Sequence, residues 1–288
     1  MSLPVSGRRR RARAAALASA AVLLAGALAG CSGSSGGGTK EPRAGGASAA
    51  SASAAPPASA DAYRRWGLER PLAAPPAPPA KKLTDGATGG SAPQVVRRIP
   101  TQDKVVFVTF DDGAEKDPEF LKMARDLKLP FTMFLTDSIS RAGSGYAYFD
   151  QLRALGNGID NHTLTHPNLR TLSAEAQKHE ICGQQDALEK RFGTRPALFR
   201  PPYGNFNDAT LAAAGGCGVR AVVLWEVTMQ INDMRYAQSD GLRPGDIVLA
   251  HFRGPQELKG TSMTRMVTNM LRSIQRQGYT VARLEDYL

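Results

Sequence analysis

Seven short apolar runs that alternate with helical segments constrain the fold of this chain more than any other feature. The first run, residues 104–110, is rich in β-branched and aromatic residues, which is typical of a buried strand. Strands that alternate with helices along a chain usually form a parallel sheet covered by helices. The sequence therefore predicts an α/β fold for residues 99–288, a distorted (β/α) barrel with about seven parallel strands.

The same pattern places the individual elements. The predicted strands are residues 104–110, 131–136, 157–161, 197–199, 220–225, 246–250 and 279–282, and the predicted helices are 118–127, 149–155, 173–192, 208–214 and 262–277. In folds of this kind the catalytic residues gather at the carboxyl ends of the strands. The polar residues that follow the apolar runs are therefore the candidate site.

The N-terminal segment has the features of an export signal. Residues 1–13 are polar and basic, and residues 14–30 are an uninterrupted run of small and apolar residues. The run ends Leu28-Ala29-Gly30-Cys31, which resembles a bacterial lipobox, where the cysteine is diacylated and becomes the new N terminus. Cleavage that leaves Cys31 free, or an uncleaved anchor helix, are the alternatives. All three place the remainder outside the cytoplasmic membrane, and the first anchors it to the membrane through lipid.

Residues 31–98 are predicted to be an Ala/Gly/Ser/Pro-rich linker. Of the 30 residues from 32 to 61, 25 are Ala, Gly, Ser or Pro, a composition that cannot bury enough apolar surface to order itself. Residues 73–80 favour a stiffer polyproline spacer. Between them, residues 62–68 include Trp66, which is either a chance aromatic patch or part of a segment that docks on the domain.

The net charge of +10 belongs to the N-terminal third of the chain. Residues 1–30 carry five Arg and no acid, residues 31–98 carry nine bases and four acids, and residues 99–288 carry 22 of each. The predicted domain is therefore neutral by count, which argues against nucleic acid as a partner. Nothing in the sequence indicates an obligate protein partner.

Two His and two Asp form a candidate metal site. His162 and His166 are spaced i, i+4, which places both imidazoles on one side of a helical turn. Asp111 and Asp112 end the first strand, where adjacent residues point to opposite sides, so that one can bind metal while the other has another role. Two His and one carboxylate commonly bind Zn²⁺ or a related divalent ion. A structural His pair and a plain Asp-Asp-Gly turn are the alternatives.

Four stretches together resemble the polysaccharide deacetylase family, the NodB homology domain of carbohydrate esterases. They are Thr109-Phe-Asp-Asp-Gly113, His162-Thr-Leu-Thr-His166, Arg200-Pro-Pro-Tyr-Gly204 and Leu249-Ala-His251, in the order and spacing of that family. The resemblance implies metal-dependent removal of acetyl groups from an N-acetylated polysaccharide such as peptidoglycan or a chitin-like polymer. A non-catalytic glycan-binding lipoprotein and an O-acetyl (xylan-type) esterase are the alternatives.

The resemblance also implies roles for individual residues. Asp112, His162 and His166 would bind the metal, Asp111 would be the general base with Arg200 as its partner, His251 would be the general acid, and the backbone N–H of Tyr203 would stabilise the oxyanion. The metal is expected to be Zn²⁺, with Co²⁺, Mn²⁺ and Ni²⁺ as alternatives. Trp225 is either an apolar wall for the acetyl methyl group or an ordinary core aromatic.

The sequence departs from the family pattern after Trp225. Members carry acids and a second Trp there, whereas this chain has Glu226-Val-Thr-Met-Gln-Ile-Asn-Asp233, with Thr228 in place of the first expected Asp. That region positions the general-acid His and shapes the substrate groove in the family. The tuning of His251 and the substrate class are therefore open.

Three residues outside the motifs remain. Cys182 and Cys217 match no metal-binding spacing, and outside the cell either a disulfide between them or two separately buried thiols would fit. His179 lies inside the long predicted helix, where a solvated or capping role is expected.

Overall fold

The computed structural model describes residues 58–87 and 91–288. The predictions for the signal segment, for Cys31 and for the linker up to residue 57 lie outside the described residues. No helix within the described ranges combines the length and the apolar character needed to cross a membrane.

A curled, mostly parallel sheet forms the centre of the fold. The strands of the described part are β1 (Gln94–Val96), β2 (Val105–Asp112), β3 (Thr132–Leu135), β4 (Gly158–Asn161), β5 (Leu198–Phe199), β6 (Ala221–Val223), β7 (Val227–Met229), β8 (Met234–Tyr236), β9 (Ile247–His251) and β10 (Thr280–Val281). Their order is β1-β6-β5-β4-β3-β2-β9-β7-β8, with β10 beside β2. Only the β7–β8 pair is antiparallel among these neighbours. The structure thus confirms the α/β class and the distorted barrel, which is open between β1 and β8.

Helices cover the outside of the curled sheet. In the described part they are α1 (Ala60–Arg65), α2 (Pro118–Leu127), α3 (Asp137–Ser140), α4 (Tyr146–Ala154), α5 (Ala174–Phe192), α6 (Asp208–Gly216) and α7 (Met263–Arg276). Local chemistry sets several of their ends. The Ser173 hydroxyl accepts a hydrogen bond from the Ala176 amide at 3.2 Å and begins α5, as the sequence predicts, and Gly193 ends it in the left-handed region at φ 71°.

Alternation along β2 explains how the sheet both supports the helices and builds a site. Val106, Val108 and Phe110 pack in the layer between the sheet and the helices. Phe107 belongs to a second apolar cluster, on the other face of the sheet. Side chains along a strand alternate between its two faces, so Thr109 and Asp111 share the inner face with Phe107. The inner face therefore becomes polar toward the carboxyl end of β2.

Part of the predicted linker is packed against the domain. Leu68 is 1% exposed, and the Trp66 indole N–H donates a 2.9 Å hydrogen bond to Asp126 of α2. The Thr268 hydroxyl of α7 donates to the Trp66 carbonyl at 3.0 Å. Strand β1 pairs in parallel with β6. Between the two predictions for residues 62–68, the structure shows the docked segment, because burying its apolar side chains offsets the entropy of ordering it. The ordered structure therefore begins before residue 99.

Cys182 and Cys217 form a disulfide with a Cα–Cα distance of 5.1 Å. The bond joins the middle of α5 to the residue that caps the end of α6. It lies among buried apolar side chains that include Ile181 and Val219. Of the two alternatives for these cysteines, the structure shows the disulfide.

Candidate active site

The predicted site residues meet at the carboxyl edge of the sheet. Asp111 and Asp112 end β2, and His251 ends β9. His162 directly follows β4, and Arg200 directly follows β5. These strands lie together in the parallel part of the sheet, so their carboxyl ends open on one side. The structure thus brings together residues that are up to 140 positions apart in the sequence.

Asp112, His162 and His166 could hold a metal ion. The Asp112 Oδ1 atom lies 3.6 Å from His162 Nε2 and 3.3 Å from His166 Nε2. One ligand atom from each of the three residues falls within a set no wider than 4.8 Å. Three oxygen and nitrogen lone pairs at this spacing can converge on one small cation, and two His with one carboxylate leave positions open for water and substrate.

The protonation of His162 suits metal binding. Its Nδ1 atom is 2.6 Å from the Arg200 carbonyl oxygen, and because a carbonyl can only accept, Nδ1 must donate. Burial lowers the pKa of His162 to about 3, so the ring is neutral near pH 7. The remaining nitrogen, Nε2, then carries the free lone pair, and it lies 3.6 Å from Asp112 Oδ1. A second partner that fixes the tautomer is the usual arrangement for a metal-binding His.

The environment of Asp112 also fits a cation. Its Oδ1 atom is buried and has no hydrogen-bond partner among the described residues. Burial raises the pKa of this carboxyl, while the neighbouring His162 opposes the shift. A buried carboxylate oxygen that faces two imidazole nitrogens without a hydrogen bond is unfavourable unless a positive charge lies between them. The residues present therefore fit a divalent ion.

Backbone strain is concentrated in this cluster. Asp112, Thr163, His166 and Tyr203 all have positive φ, at 71°, 73°, 61° and 60°. Residues other than glycine rarely adopt this conformation, and it persists where the surroundings enforce it, often at functional sites. The turn at Asp112 brings its carboxylate to the same side as Asp111, and each carboxylate lies 3.6 Å from His162 Nε2. This corrects the sequence interpretation that the two side chains diverge.

A loop, rather than a helical turn, brings the two His together. The i, i+4 spacing of His162 and His166 predicts a turn of helix, but no helix spans these residues. Instead, the Thr163 hydroxyl accepts from the His166 amide at 3.0 Å, and the Thr163 amide donates to Asn161 Oδ1 at 2.8 Å. Glu180 of α5 accepts from both the amide and the hydroxyl of Thr165. These side-chain hydrogen bonds hold the loop and its two imidazoles.

Asp111 and Arg200 form a buried ion pair. Arg200 Nη1 donates to Asp111 Oδ1 at 2.6 Å and to the Thr109 hydroxyl at 2.7 Å, and Nε donates to the Val223 carbonyl at 3.1 Å. The guanidinium also stacks over Phe134, 4.2 Å from the ring centre. Burial raises the pKa of Asp111, and Arg200 opposes this shift. Thr109, whose hydroxyl accepts a hydrogen bond from the Arg200 guanidinium, was not among the predicted site residues. It is nevertheless the first residue of the first motif.

His251 lies beside Asp111 on the neighbouring strand. The two are paired in the register of β2 and β9, and on adjacent parallel strands paired residues face the same side. Burial lowers the pKa of His251 to about 4, an effect that the Asp111 carboxylate opposes. The imidazole of His251 is therefore neutral near pH 7.

Tyr203 and Trp225 border the cluster. The Tyr203 ring lies edge-on to the His166 ring, with centres 4.8 Å apart, and it is 63% exposed. Trp225 is partly buried, with its ring 5.6 Å from the Arg200 guanidinium carbon. It also lies against Gly204, where an added Cβ would stand 3.1 Å from the indole. Trp225 thus contacts the loop that carries Tyr203.

The stretch that departs from the family pattern forms a hairpin beside His251. Strands β7 and β8 pair in antiparallel fashion, and Thr228 pairs in register with Leu249 of β9. Leu249 lies two positions before His251, so Thr228 faces the same side as the imidazole. Among the main influences on the pKa of His251, the only carboxylate is that of Asp111, which is not part of the hairpin. Glu226 is buried, and its Oε2 atom has no hydrogen-bond partner among the described residues.

One cavity lies at the carboxyl edge of the sheet, next to His251, and another lies at the opposite edge. A cavity of about 380 Å³ adjoins His251 and is bordered by the hairpin. A cavity of about 420 Å³ is lined at the amino end of the strands by residues such as Gly158, Leu198 and Glu285. Within the described part of the chain, none of the predicted site residues lines the second cavity. His179 is exposed on α5, away from both.

Comparisons with known proteins show which family and which fold this chain shares. A family profile described as polysaccharide deacetylase matches residues 98–222. An uncharacterized protein of Streptomyces coelicolor is 42% identical over 77% of this chain and 89% of its own length. A peptidoglycan-N-acetylglucosamine deacetylase of Bacillus cereus is 27% identical over 67% of this chain and 92% of its own length. The solved structure of a CE4-family pseudoenzyme from Bacillus anthracis has a TM-score of 0.56 at 21% identity, covering 68% of this chain and 69% of that one, which shows the shared fold.

Proposed function

This chain belongs to the polysaccharide deacetylase family, and on that premise we propose that it is a metal-dependent enzyme that removes acetyl groups from N-acetylglucosamine in peptidoglycan or a related polysaccharide. The observation that carries the proposal is the placement of Asp111. Its Oδ2 atom lies 3.6 Å from His162 Nε2, next to the three candidate metal ligands, and its Oδ1 atom is held by Arg200. Metal-dependent hydrolysis requires a general base next to the metal site and a general acid near that base, and this arrangement has both.

Asp112, His162 and His166 would hold the ion, most simply Zn²⁺, which accepts a mixed set of imidazole and carboxylate ligands; Co²⁺, Mn²⁺ and Ni²⁺ accept the same set. A bound ion of this kind polarises the acetyl carbonyl and makes a water more acidic. Arg200 contributes twice, since its carbonyl orients His162 and its guanidinium orients Asp111. One buried residue thus links the metal site to the base.

Asp111 would take a proton from the attacking water while the water oxygen bonds to the acetyl carbon. The raised pKa of this buried carboxyl suits a base that works near neutral pH, because it accepts a proton more readily than an exposed Asp does. The backbone N–H of Tyr203 would stabilise the negative charge that develops on the acetyl oxygen. Trp225 would form the apolar wall for the methyl group.

His251 would deliver a proton to the leaving nitrogen as the carbon–nitrogen bond breaks. Because its pKa is about 4, the imidazole is neutral near pH 7 at the start of the reaction and must first gain a proton. Asp111 is its partner in the strand register and gains a proton in the first step. The proton that Asp111 takes from water would therefore leave through His251, so that both groups return to their starting state. The products are a free amine and acetic acid, which ionises to acetate in solution.

The N-terminal segment extends the proposal to location. A signal in residues 1–30, lipidation at Cys31 and a linker from residue 31 would anchor the domain on the outer side of the cytoplasmic membrane. Supporting observations are the sequence Leu28-Ala29-Gly30-Cys31 and the composition of the residues that follow it. An anchored enzyme of this kind would meet the wall polymer as its substrate.

A second candidate function is favoured by one observation. Thr228 stands where the family carries an Asp, and the main influences on the pKa of His251 include no carboxylate of the hairpin. A glycan-binding lipoprotein without efficient catalysis would retain the fold with such a change. The intact pairing of Asp111 with Arg200, and the position of His251 beside it, favour the enzyme, since a binding protein needs neither.

Acetate release from a substrate panel tests the proposal. The purified protein would be incubated with N-acetylglucosamine oligomers, peptidoglycan fragments and O-acetylated xylan, with added Zn²⁺ or with a chelator. Acetate from the N-acetylated substrates that stops with chelator supports the deacetylase. Acetate only from xylan indicates the O-acetyl esterase, and glycan binding without acetate from any substrate indicates the binding protein.

A further inference from the structure

The cavity next to His251, which we call the hairpin cavity, is lined by an Arg side chain that has no protein partner among the described residues. It is lined by the β7–β8 turn and by the loop after β9, including Met229, Ile231, His251, Arg253 and Lys259. Its volume of about 380 Å³ lies within the range of small-molecule sites. Because His251 lines it, the hairpin cavity opens beside the acid of the proposed reaction.

Arg253 is half-buried and has no hydrogen bond or ion pair with another side chain in the described part of the chain. Its positive charge lowers the pKa of both Asp112 and His251. A guanidinium that lines a cavity and has no protein partner can pair with a carboxylate of a bound ligand. Arg253 is therefore available to such a ligand.

The other charged side chains of the hairpin cavity do not supply that partner. Asp233 is engaged with Arg235, at 3.2 Å. Glu257 accepts from the Gly254 amide at 3.3 Å, and no atom of it comes within ion-pair distance of Arg253. Three cations and two acids line the hairpin cavity, which leaves one positive charge in excess. Lys259, at the rim, has φ 52°, so the loop that carries it is held in a conformation that lysine rarely adopts.

From this arrangement we propose that the hairpin cavity is a subsite for a carboxylate-bearing sugar, with Arg253 as the residue that recognises the carboxylate. The inference rests on the proposed function, because it places this sugar next to the one that loses its acetyl group. One excess positive charge matches one carboxylate. A planar guanidinium can donate two parallel hydrogen bonds to such a group, which gives direction as well as charge.

Two sources of a sugar carboxylate must be separated. The lactyl ether of a muramic acid residue and the carboxyl group of a uronic acid residue both present a single carboxylate on a pyranose ring. Three oligosaccharides of equal length would be compared, each with an N-acetylglucosamine residue, and with a neutral, a muramic acid or a uronic acid neighbour. The better of the two acidic compounds identifies the source.

The closing experiment measures both turnover and binding. For turnover, we expect the wild-type protein to have a kcat/KM at least tenfold higher for one acidic compound than for the neutral one. Arg253→Gln should reduce that ratio to near one, and Arg253→Lys should retain part of it. Using the ratio removes any effect of the substitution on His251 itself. Arg265→Gln is the matched control, since Arg265 is exposed on α7 and does not line the hairpin cavity.

Binding to Asp111→Asn protein, measured by calorimetry, separates this inference from the proposed function. A preference for the acidic compound that Arg253→Gln removes, in the absence of any acetate release by the wild type, retains the subsite and overturns the deacetylase. Acetate release by the wild type, with equal affinity for the neutral and acidic compounds, supports the deacetylase and overturns the subsite. Equal acidic-to-neutral ratios in wild type and Arg253→Gln, or binding of neither compound, overturn the subsite.

Discussion

The guanidinium of Arg200 donates a 2.6 Å hydrogen bond to the carboxylate of Asp111, and both side chains are buried at the carboxyl edge of the sheet. The carbonyl of Arg200 meanwhile accepts from His162 Nδ1. The proposed base and one proposed metal ligand are thus positioned by the same residue, which also begins the loop that carries Tyr203.

Replacing Arg200 should therefore damage both stability and catalysis. Arg200→Met leaves the Asp111 carboxylate buried without its partner, which we expect to lower the free energy of unfolding by about 3–5 kcal/mol. Activity should fall at least about 100-fold, because the proposed base, Asp111, loses its orientation. Urea unfolding and acetate release would measure the two effects.

Arg141→Met is the control for Arg200→Met, because Arg141 pairs with Asp137 at 3.3 Å on the surface and is mostly exposed. It should change the free energy of unfolding by less than about 1 kcal/mol. Equal destabilisation by the two substitutions would contradict the importance given to the buried pair.

Thr228→Asp should restore a carboxylate to the face that His251 occupies. A negative charge there raises the pKa of the imidazole above about 4, so that more of it is protonated near neutral pH. We expect kcat to rise several-fold and the alkaline limb of the pH profile to move upward. Thr228→Asn, which has the same shape without the charge, should do neither, and identical profiles for the two variants would show that position 228 does not act on His251.

Much of the fold follows from the sequence because its signals are local. Strands such as β2 and β9 are long enough for their apolar character to identify them, and each of the seven predicted strands coincides with an observed one. Strands β1, β7 and β8, which were not predicted, have three residues each, of which one is polar, so none of them forms an apolar run. Their place depends on pairing with distant segments, which no local pattern reports.

The motifs predict which residues meet at the candidate site, but they do not predict the geometry in which these residues meet. The motifs identify Asp112, His162 and His166, which the structure brings together. The spacing alone could not indicate the positive φ values of Asp112 and His166, because these arise from hydrogen bonds made by the surrounding loop. Arg253 was missed because nothing distinguishes one surface-type Arg in a sequence. Its position after His251 is the only signal that could have found it.

Asp160→Asn should change how stability depends on pH. Asp160 is buried on β4 and accepts from the Leu198 amide at 2.8 Å, and burial, together with nearby Glu285, raises its pKa well above the usual value. A carboxyl whose pKa is raised by folding contributes stability below its unfolded pKa near 4, and loses it as pH rises through the folded value.

The wild-type melting temperature should therefore fall relative to that of Asp160→Asn as pH is raised from 4 to 8. Asn retains the oxygen that accepts from Leu198 but cannot ionise. Thermal melts at several pH values would measure the difference. A difference that is constant across this range would mean that Asp160 has an ordinary pKa.

The disulfide should stabilise the fold without taking part in the reaction. The double variant Cys182→Ser/Cys217→Ser removes a link between α5 and the end of α6, which closes a loop of 35 residues. We expect the free energy of unfolding to fall by about 2–5 kcal/mol. Acetate release at 25 °C should stay within about twofold of wild type, since neither cysteine borders the site. Full activity loss in a folded double variant would contradict this separation.

Metal content and acetate release, measured side by side on wild type, Asp111→Asn and His162→Ala, test the central claim most directly. Asp111→Asn should bind one equivalent of Zn²⁺, as the wild type does, and lose at least about 100-fold in turnover. His162→Ala should lose both. The account would be contradicted if Asp111→Asn protein turned over at the wild-type rate, or if His162→Ala kept a full equivalent of metal.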